Sequence, residues 1–204
     1  NYASLFLNRL KNKGYIEEIE KGKYALKETN IYAVASNIIS PSYISFLSAL
    51  YYYDVITQVP NKITVVSLKS KKPIRFRGYE IEFVKYPPER VYGINKNISS
   101  GKPIFIGSLE KVIVDSLYLP IYCPIDETIS AINEAAIDYG DLVNMALNMG
   151  SIVLLKRLGF IMERKNYDIY NRVKGKLNKR YDLLDPFGST NREKNKKWRI
   201  ITNE

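Results

Sequence analysis

The opening segment constrains this chain most, because a helix pattern there changes at a glycine into a hairpin pattern. Apolar residues recur at the three- and four-residue spacing of one helix face, which predicts a single amphipathic helix with a polar, basic back over residues 1–14. Gly14 suits the end of this helix because glycine reaches positive φ at no steric cost. The residues of the apolar face are Ala3, Phe6, Leu7 and Leu10.

Residues 15–26 are predicted to form a tight hairpin with lysines at its tip. Apolar residues flank the turn Glu20-Lys21-Gly22-Lys23 on both sides, as in a short two-stranded ribbon. A helix that ends in Lys-Gly and runs into such a ribbon is typical of the second half of a winged helix-turn-helix. That module places a helix in a DNA groove, so the pattern favours a nucleic-acid-binding regulator.

Two groups of side chains are candidates for DNA contact. Ser4, Asn8 and Arg9 can reach base edges in a major groove, and we expect them to read sequence. The others would hold phosphates, which gives affinity without sequence preference. These phosphate-binding candidates are Tyr2, Lys11, Lys13, Lys21 and Lys23. A short basic helix beside a hairpin also occurs in globular proteins in which the lysines are only solvated, and this alternative stays open.

The overall charge agrees with a polyanionic partner. The chain has 204 residues, a net charge of +10 and 46% apolar residues, so it can build a core as one domain or two modest ones. The charge is unevenly distributed: residues 156–199 hold 14 Lys and Arg against 5 Asp and Glu, whereas residues 108–141 hold one Lys against seven acidic residues. An acidic protein partner is therefore a second hypothesis, with DNA binding incidental.

Residue types argue against several classes of function. The chain has no histidine, which removes the commonest general base and metal ligand, and Cys123 is its single cysteine. The carboxylate pairs Asp182 with Asp185 and Glu110 with Asp115 have no recognisable catalytic spacing. We therefore expect no enzyme, no catalytic residue, no bound metal and no cofactor, with an RNA-processing enzyme as a weaker third hypothesis.

No apolar run approaches the roughly 20 residues that span a bilayer, and the start lacks a signal-peptide pattern. We expect a cytoplasmic protein with no membrane partner.

The predicted fold class is α+β. A partial winged helix-turn-helix over residues 1–30 is followed by a mixed domain over residues 31–204, with a small antiparallel sheet and a C-terminal helical bundle. The strands of the sheet are expected within residues 63–68, 74–86, 91–94 and 103–106. The connections between them are too short for crossover helices, which is why an antiparallel sheet is predicted.

Helix boundaries follow from caps and breakers. Ser42 is a candidate N-cap for a helix that ends at Tyr53, and Ser108 for a helix whose charges fall on an exposed face. Further helices are expected at residues 126–139, 141–149 and 167–177, and one that opens at Ser151 and stops at Gly159. Trp198 is expected to be a core anchor, residues 197–202 a strand and residues 189–197 an exposed charged loop.

The residues also resemble a known family. Residues 5–16 and 21–26 resemble the reader helix and wing of AbiEi-type antitoxins, and residues 41–50, with Gln58-Val59-Pro60 and the strand that follows, resemble the segment after that wing. The further landmarks are Glu110-Lys111 with Asp115, Arg157-Leu158-Gly159-Phe160 and Leu184-Asp185-Pro186. Taken together and in this order, these segments cover nearly the whole chain.

The resemblance implies the antitoxin and repressor half of an abortive-infection (type IV) toxin–antitoxin system. It implies a winged domain that binds double-stranded operator repeats, and a C-terminal domain that antagonises a cognate nucleotidyltransferase-like toxin. Because not all relatives sit beside a toxin, the regulator role is the safer expectation. Inverted operator repeats would suggest a homodimer, although no heptad seam is visible.

One departure from the pattern bears on DNA binding. A complete winged domain has two further helices ahead of the reader helix, and the sequence begins at Asn1 without them. We expect either a truncated chain or a leader that was cleaved or left unnumbered.

Overall fold

The structure, a computed structural model, describes residues 2–189 and 193–202. Within these residues the chain forms eight α-helices and eleven β-strands, which confirms the mixed α+β class. None of the described helices is both long and apolar enough to cross a membrane. The chain divides into two compact units, residues 1–44 with 59–106 and residues 45–58 with 107–204. The predicted division into a winged domain (residues 1–30) and a mixed domain (residues 31–204) is a division by function and stays a prediction.

The elements follow one another along the chain with short connections. In order they are α1 (Tyr2–Asn12), β1 (Ile16–Glu20), β2 (Lys23–Leu26), α2 (Ile31–Asn37), β3 (Ser42–Ile44), α3 (Phe46–Tyr52), β4 (Lys62–Ser67), β5 (Ile74–Phe76), β6 (Tyr79–Lys85), β7 (Ile94–Ser99), β8 (Lys102–Gly107), α4 (Leu109–Tyr118), α5 (Ile125–Glu134), α6 (Tyr139–Met149), α7 (Ile152–Arg164), α8 (Tyr170–Val173), β9 (Asp182–Leu183), β10 (Glu193–Asn195) and β11 (Ile200–Thr202).

The first unit contains the predicted helix and hairpin followed by a sheet. Strands β1 and β2 pair antiparallel around the turn at Lys21 and Gly22, as expected, and Gly22 has the positive φ that such a turn requires. The sheet has six strands in the order β5-β6-β4-β3-β8-β7, and α2 packs on β3 and β4.

The expectation of an antiparallel sheet was wrong in part. Strands β4 and β6 pair parallel, with Val65 opposite Phe83, and β3 pairs parallel with β8 at Ile44 and Ile106. No helix is needed between β4 and β6, because the connection makes an edge strand, β5, that pairs antiparallel with β6. The sheet is therefore mixed.

The predicted N-cap at Ser42 was also wrong. Ser42 begins β3, and its buried hydroxyl donates to the carbonyls of Ser36 and Ile39 at 2.9 and 2.8 Å. The helix starts later, at Phe46, after Ser45. A serine hydroxyl can bond local carbonyls as readily as it caps a helix, so the residue type alone did not decide between the two roles.

The second unit is built around α4, which packs against α3, α5, α6 and α7. Ser108 and Ser151 cap α4 and α7 as predicted, by accepting from the backbone N–H groups of Lys111 and Leu154. A small sheet in the order β10-β11-β9 follows the helices, and α7 packs on β11. Trp198 is fully buried, as expected for a core anchor.

Several helix ends differ from the predictions. Helix α5 begins at Ile125 and ends at Glu134, five residues before the predicted end, and α6 begins at Tyr139. The helix expected over residues 167–177 is only α8, four residues long, followed by a 3₁₀ turn. The charged loop expected at residues 189–197 contains strand β10, while residues 190–192 lie outside the described residues.

Candidate nucleic-acid interface

Helix α1 presents its polar and basic back to solvent. None of its described residues is buried; Leu7 and Leu10 are half-buried where the helix packs on β1, and Phe6 is 50% exposed. Arg9 and Lys11 lie in its last turn, where the helix dipole favours cations. The long side chains on this helix are therefore accessible to a large ligand.

The three candidate base readers lie on α1 and are all exposed. Ser4 and Asn8 are four residues apart and share a face, and Arg9 is adjacent. Their side chains have no hydrogen-bond or ion-pair partner among the residues that the structure describes. Each therefore keeps its full hydrogen-bonding capacity for an external partner.

The candidate phosphate-binding lysines differ in how they are engaged. Lys11 donates to Glu18 at 2.6 Å, and this hydrogen bond raises the pKa of the Lys11 ammonium. Lys23 donates to the carbonyl of Ile38 at 2.8 Å and pairs with Glu20 at 3.0 Å.

Lys13 and Lys21, by contrast, are exposed and have no ion-pair partner within the described part of the chain, and Tyr2 is 80% exposed. Among the candidate DNA-contacting residues, the cations without an ion-pair partner in the described part of the chain are therefore Arg9, Lys13 and Lys21.

Three glutamates on β1 are all compensated by cations of the same unit. Glu18 pairs with Lys11, Glu17 with Arg77, and Glu20 with both Lys23 and Lys71. Hydrogen bonds from Lys71 and Lys23 lower the pKa of the Glu20 carboxyl, so it stays ionised at neutral pH. The hairpin consequently does not present bare negative charge to a polyanion.

Arg77 fixes the base of the hairpin, a role that was not predicted from the sequence. Its Nε donates to Glu17 at 2.6 Å, and Nη1 and Nη2 donate to the carbonyls of Thr29 and Lys27 at 2.5 and 2.7 Å. Arg77 lies in the β5–β6 turn with φ of 48°, beside Gly78. The acidic sequence IEEIE of β1 predicts that cations lie nearby, but it does not identify the distant residues that supply them.

The carboxylates considered for catalysis each have a different hydrogen-bond partner. Asp182 accepts from Lys156 at 2.6 Å, and Asp185 accepts from the backbone N–H of Phe187 at 2.8 Å in a local turn. Glu110 accepts from the Asp138 backbone, whereas Asp115 is fully buried. Within residues 2–189 and 193–202, no group of three or more acidic or cysteine side chains is placed to hold a metal ion.

The expectation that the charges of residues 108–117 lie on an exposed face was wrong for two of them. Lys111 and Asp115 are both fully buried and pair at 2.5 Å, and Ser45 donates to the other oxygen of Asp115 at 2.7 Å. Helix α4 is surrounded by other helices, so even its polar side faces protein. The charges of Lys111 and Asp115 therefore compensate each other inside the second unit.

Comparison with known proteins supports the fold and goes no further. The chain matches no protein-family model and no curated protein. Among solved structures it is similar to the crystal structure of the RV2827C protein from Mycobacterium tuberculosis, with a TM-score of 0.65 and 10% identity over 98% of this chain and 79% of that chain. At that identity, the similarity concerns the fold alone.

Proposed function

We propose that this chain is a DNA-binding transcriptional regulator of the AbiEi kind, an autorepressor that acts as the antitoxin of a type IV toxin–antitoxin system. The observation that carries the proposal is a helix with no buried residue beside a hairpin with the exposed Lys21 at its tip. Arg9 on this helix and Lys13 just after its end are both exposed. In the finer fold assignment that we propose, α1 is the reader helix and β1–β2 the wing of a winged helix-turn-helix.

DNA binding in this scheme divides between two contacts. Helix α1 enters a major groove with Ser4, Asn8 and Arg9 toward base edges. The wing lies along the adjacent backbone, where Lys21 neutralises phosphate. Arg77 supports the role of the wing because it fixes the hairpin in place, donating to Glu17 on β1 and to the carbonyls of Lys27 and Thr29 just after β2.

The phosphate contacts are tested by the salt dependence of operator binding. The probe is a duplex that carries the region upstream of the protein's own coding sequence, because an autorepressor binds there. We expect Lys13→Ala with Lys21→Ala to weaken binding and to lower the slope of log K against log salt by about two, since each lost phosphate contact removes roughly one released counterion. Fluorescence anisotropy at four salt concentrations gives the slope.

The matched control is Lys96→Ala. Lys96 is an exposed lysine on β7, the strand at the opposite edge of the sheet from β5. Its removal changes the net charge without touching the proposed surface, so the slope should stay within experimental error of the wild type. An unchanged slope in the double variant, or an equal change in the control, would refute the role of these lysines.

The base contacts are tested by sequence preference. We expect Arg9→Ala to reduce the preference for the upstream duplex over a scrambled duplex by about 1–3 kcal/mol, because a good bidentate base contact contributes that much discrimination. Lys21→Ala should weaken binding to both duplexes equally. If Arg9→Ala also weakens both equally, Arg9 holds phosphate instead.

A second surface favours the antitoxin part of the proposal. Five cations between Arg172 and Arg180 are exposed. Lys174 donates to the amide oxygen of Asn171 at 3.0 Å and Arg172 to that of Asn144 at 2.9 Å, and both acceptors are neutral. Such a surface fits an acidic patch on a nucleotidyltransferase-like toxin. Co-purification with the product of a neighbouring gene, lost in Lys174→Glu with Lys176→Glu, would support this partner, and an undiminished complex would refute this surface.

A further inference from the structure

A cavity in the second unit, wide open to solvent, is lined by one positively charged residue and by several apolar ones. Its volume is about 410 Å³, which is within the range of small-molecule sites. Its mouth includes Ile121 and Phe187, which are 66% and 65% exposed although both are large and apolar. Its lining comes from the end of α4, the start of α7 and the segment after β9; Leu119, Pro120, Val153 and Pro186 are among the lining residues.

Arg157 supplies the charge and is held rigidly. Its residue exposure is only 5%. Nε donates to the carbonyl of Leu183 at 3.1 Å, and Nη1 donates to the carbonyl of Leu117 at 2.7 Å. These two bonds leave Nη2 without a hydrogen-bond partner among the described residues. The guanidinium therefore reaches the cavity already oriented, with donor capacity to spare.

The charge of Arg157 is not balanced by a direct ion pair. Both of its bonds go to neutral carbonyls, and the described residues contain no carboxylate within ion-pair distance of it. Burial lowers the pKa of the Arg157 guanidinium despite the opposing influence of Asp182 and Asp185. A buried cation in this state gains more from an anion than an exposed one does, because little water has to be displaced from it.

The start of α7 adds a second favourable field at the same cavity. Ser151 and Val153 line it, and the first turn of this 13-residue helix contains no acidic residue. The N-terminal end of a helix carries partial positive charge, and its backbone N–H groups can donate to an anion. Arg157 and the N-terminal end of α7 thus both favour an anion in this cavity.

We propose that this cavity binds a small organic monocarboxylate with an apolar body, the carboxylate on Nη2 of Arg157 and the body against Ile121, Val153 and Phe187. This binding site goes beyond the regulator function and does not depend on it. A single buried cation within an apolar lining selects for one negative charge on an otherwise apolar molecule.

The test uses 3-phenylpropionate as the probe and 3-phenylpropanamide as its uncharged counterpart. We expect saturable shifts of the backbone amide signals of Ser151 and Phe187 on titration of the full chain with the carboxylate, followed by ¹H–¹⁵N NMR. The amide should bind at least tenfold more weakly, because it lacks the charge that Arg157 recognises.

A pair of substitutions at Val153 separates binding from folding. Val153→Glu places a carboxylate in the cavity at the second position of α7, where an acidic residue suits the helix end, so the variant should fold and lose probe binding at least tenfold. Val153→Gln has the same size without the charge and carries the loss due to the changed apolar contact alone, so Val153→Glu should bind the probe at least tenfold more weakly than Val153→Gln. Arg157→Gln should also lose binding, but it removes two structural bonds as well, so its folding is checked separately.

Three results would overturn the proposal: no saturable shift with 3-phenylpropionate, equal binding of the amide, or equal binding of the probe by Val153→Glu and Val153→Gln.

Discussion

At Gly159 the backbone of α7 passes directly against the ring of Trp198. A Cβ atom at this position would lie 2.0 Å from Cζ3 of Trp198, well inside the closest contact that real Cβ atoms make. The ring cannot easily retreat, because Trp198 is fully buried and its Nε1 donates to Glu163 at 2.6 Å. The predicted helix stop at Gly159 was wrong: the helix continues to Arg164, and the glycine makes room for a ring.

We therefore expect Gly159→Ala to destabilise the protein by about 1–3 kcal/mol, because overpacking outweighs the gain of roughly 1 kcal/mol in helix propensity. Urea unfolding followed by circular dichroism measures the change. Gly175→Ala is the matched control, since a Cβ at Gly175 meets nothing within 4 Å. A stabilised Gly159→Ala variant would show that the indole ring can move aside.

The buried pair of Lys111 and Asp115 gives a second prediction at the scale of residues. We expect Lys111→Met to cost about 3–5 kcal/mol, because it leaves the Asp115 carboxylate uncompensated in the core. The double variant Lys111→Met with Asp115→Leu should recover most of this loss, since it removes both charges. Unfolding free energies of the two single variants and the double variant form a thermodynamic cycle, and an additive result would contradict direct coupling of the pair.

At the scale of elements, the hairpin depends on a residue from another element. Two strands alone are marginally stable in water, so the β1–β2 hairpin gains from the four groups that Arg77 binds on it and just after it: the Glu17 carboxylate and the carbonyls of Leu26, Lys27 and Thr29. We expect Arg77→Ala to speed hydrogen exchange of the hairpin amides roughly tenfold or more, because bonds from a charged donor contribute about 1.5–3 kcal/mol.

The exchange experiment has a matched control in the same β-strand region. Arg75 is two residues away, its side chain is 90% exposed, and it approaches Glu80 only at 4.0 Å. Arg75→Ala should leave hairpin exchange unchanged, and β4 amides should be unaffected in both variants. Hairpin protection that survives in Arg77→Ala would mean that the strands are stable without this support.

Elements were predicted well where the signal is local and poorly where it is not. The helix–glycine–hairpin succession and the caps at Ser108 and Ser151 follow from residues that are neighbours in sequence. The parallel pairing of β3 with β8 joins strands that are about 60 residues apart, which no local pattern specifies. The buried pair on α4 was missed for a related reason, because periodicity identifies a polar face but not whether another helix covers it.

At the scale of the whole molecule, charge should govern behaviour in acid. The net charge of +10 would approach +31, the number of Lys and Arg residues, once the carboxylates are protonated. Hydrogen bonds hold the pKa values of Glu20, bonded by Lys71, and Asp168, bonded by the Tyr170 backbone, below their ordinary values. Because the folded-state pKa values are the lower ones, this stabilisation is present above the ordinary pKa and is lost as pH falls through the folded value.

We therefore expect the urea midpoint to change little between pH 7 and 5, to fall steeply from about pH 5 to 3, and to recover partly with added salt at pH 3. Glu20→Gln should be less stable than the wild type at pH 7 by no more than about 1 kcal/mol, since the ion pairs are partly exposed. That difference should shrink at pH 3. A difference that grows in acid would contradict the assigned direction of the pKa change.

Helix α7 carries its two buried cations at consecutive positions, and this adjacency limits how the helix can sit. Successive residues project about 100° apart, so Lys156 reaches Asn178 and Asp182 while Arg157 reaches Leu117 and Leu183. Turning the helix about its axis, or sliding it by one position, would break both sets of bonds together. The two adjacent buried cations, each with its own set of partners, therefore fix both the rotation of α7 about its axis and its position along that axis.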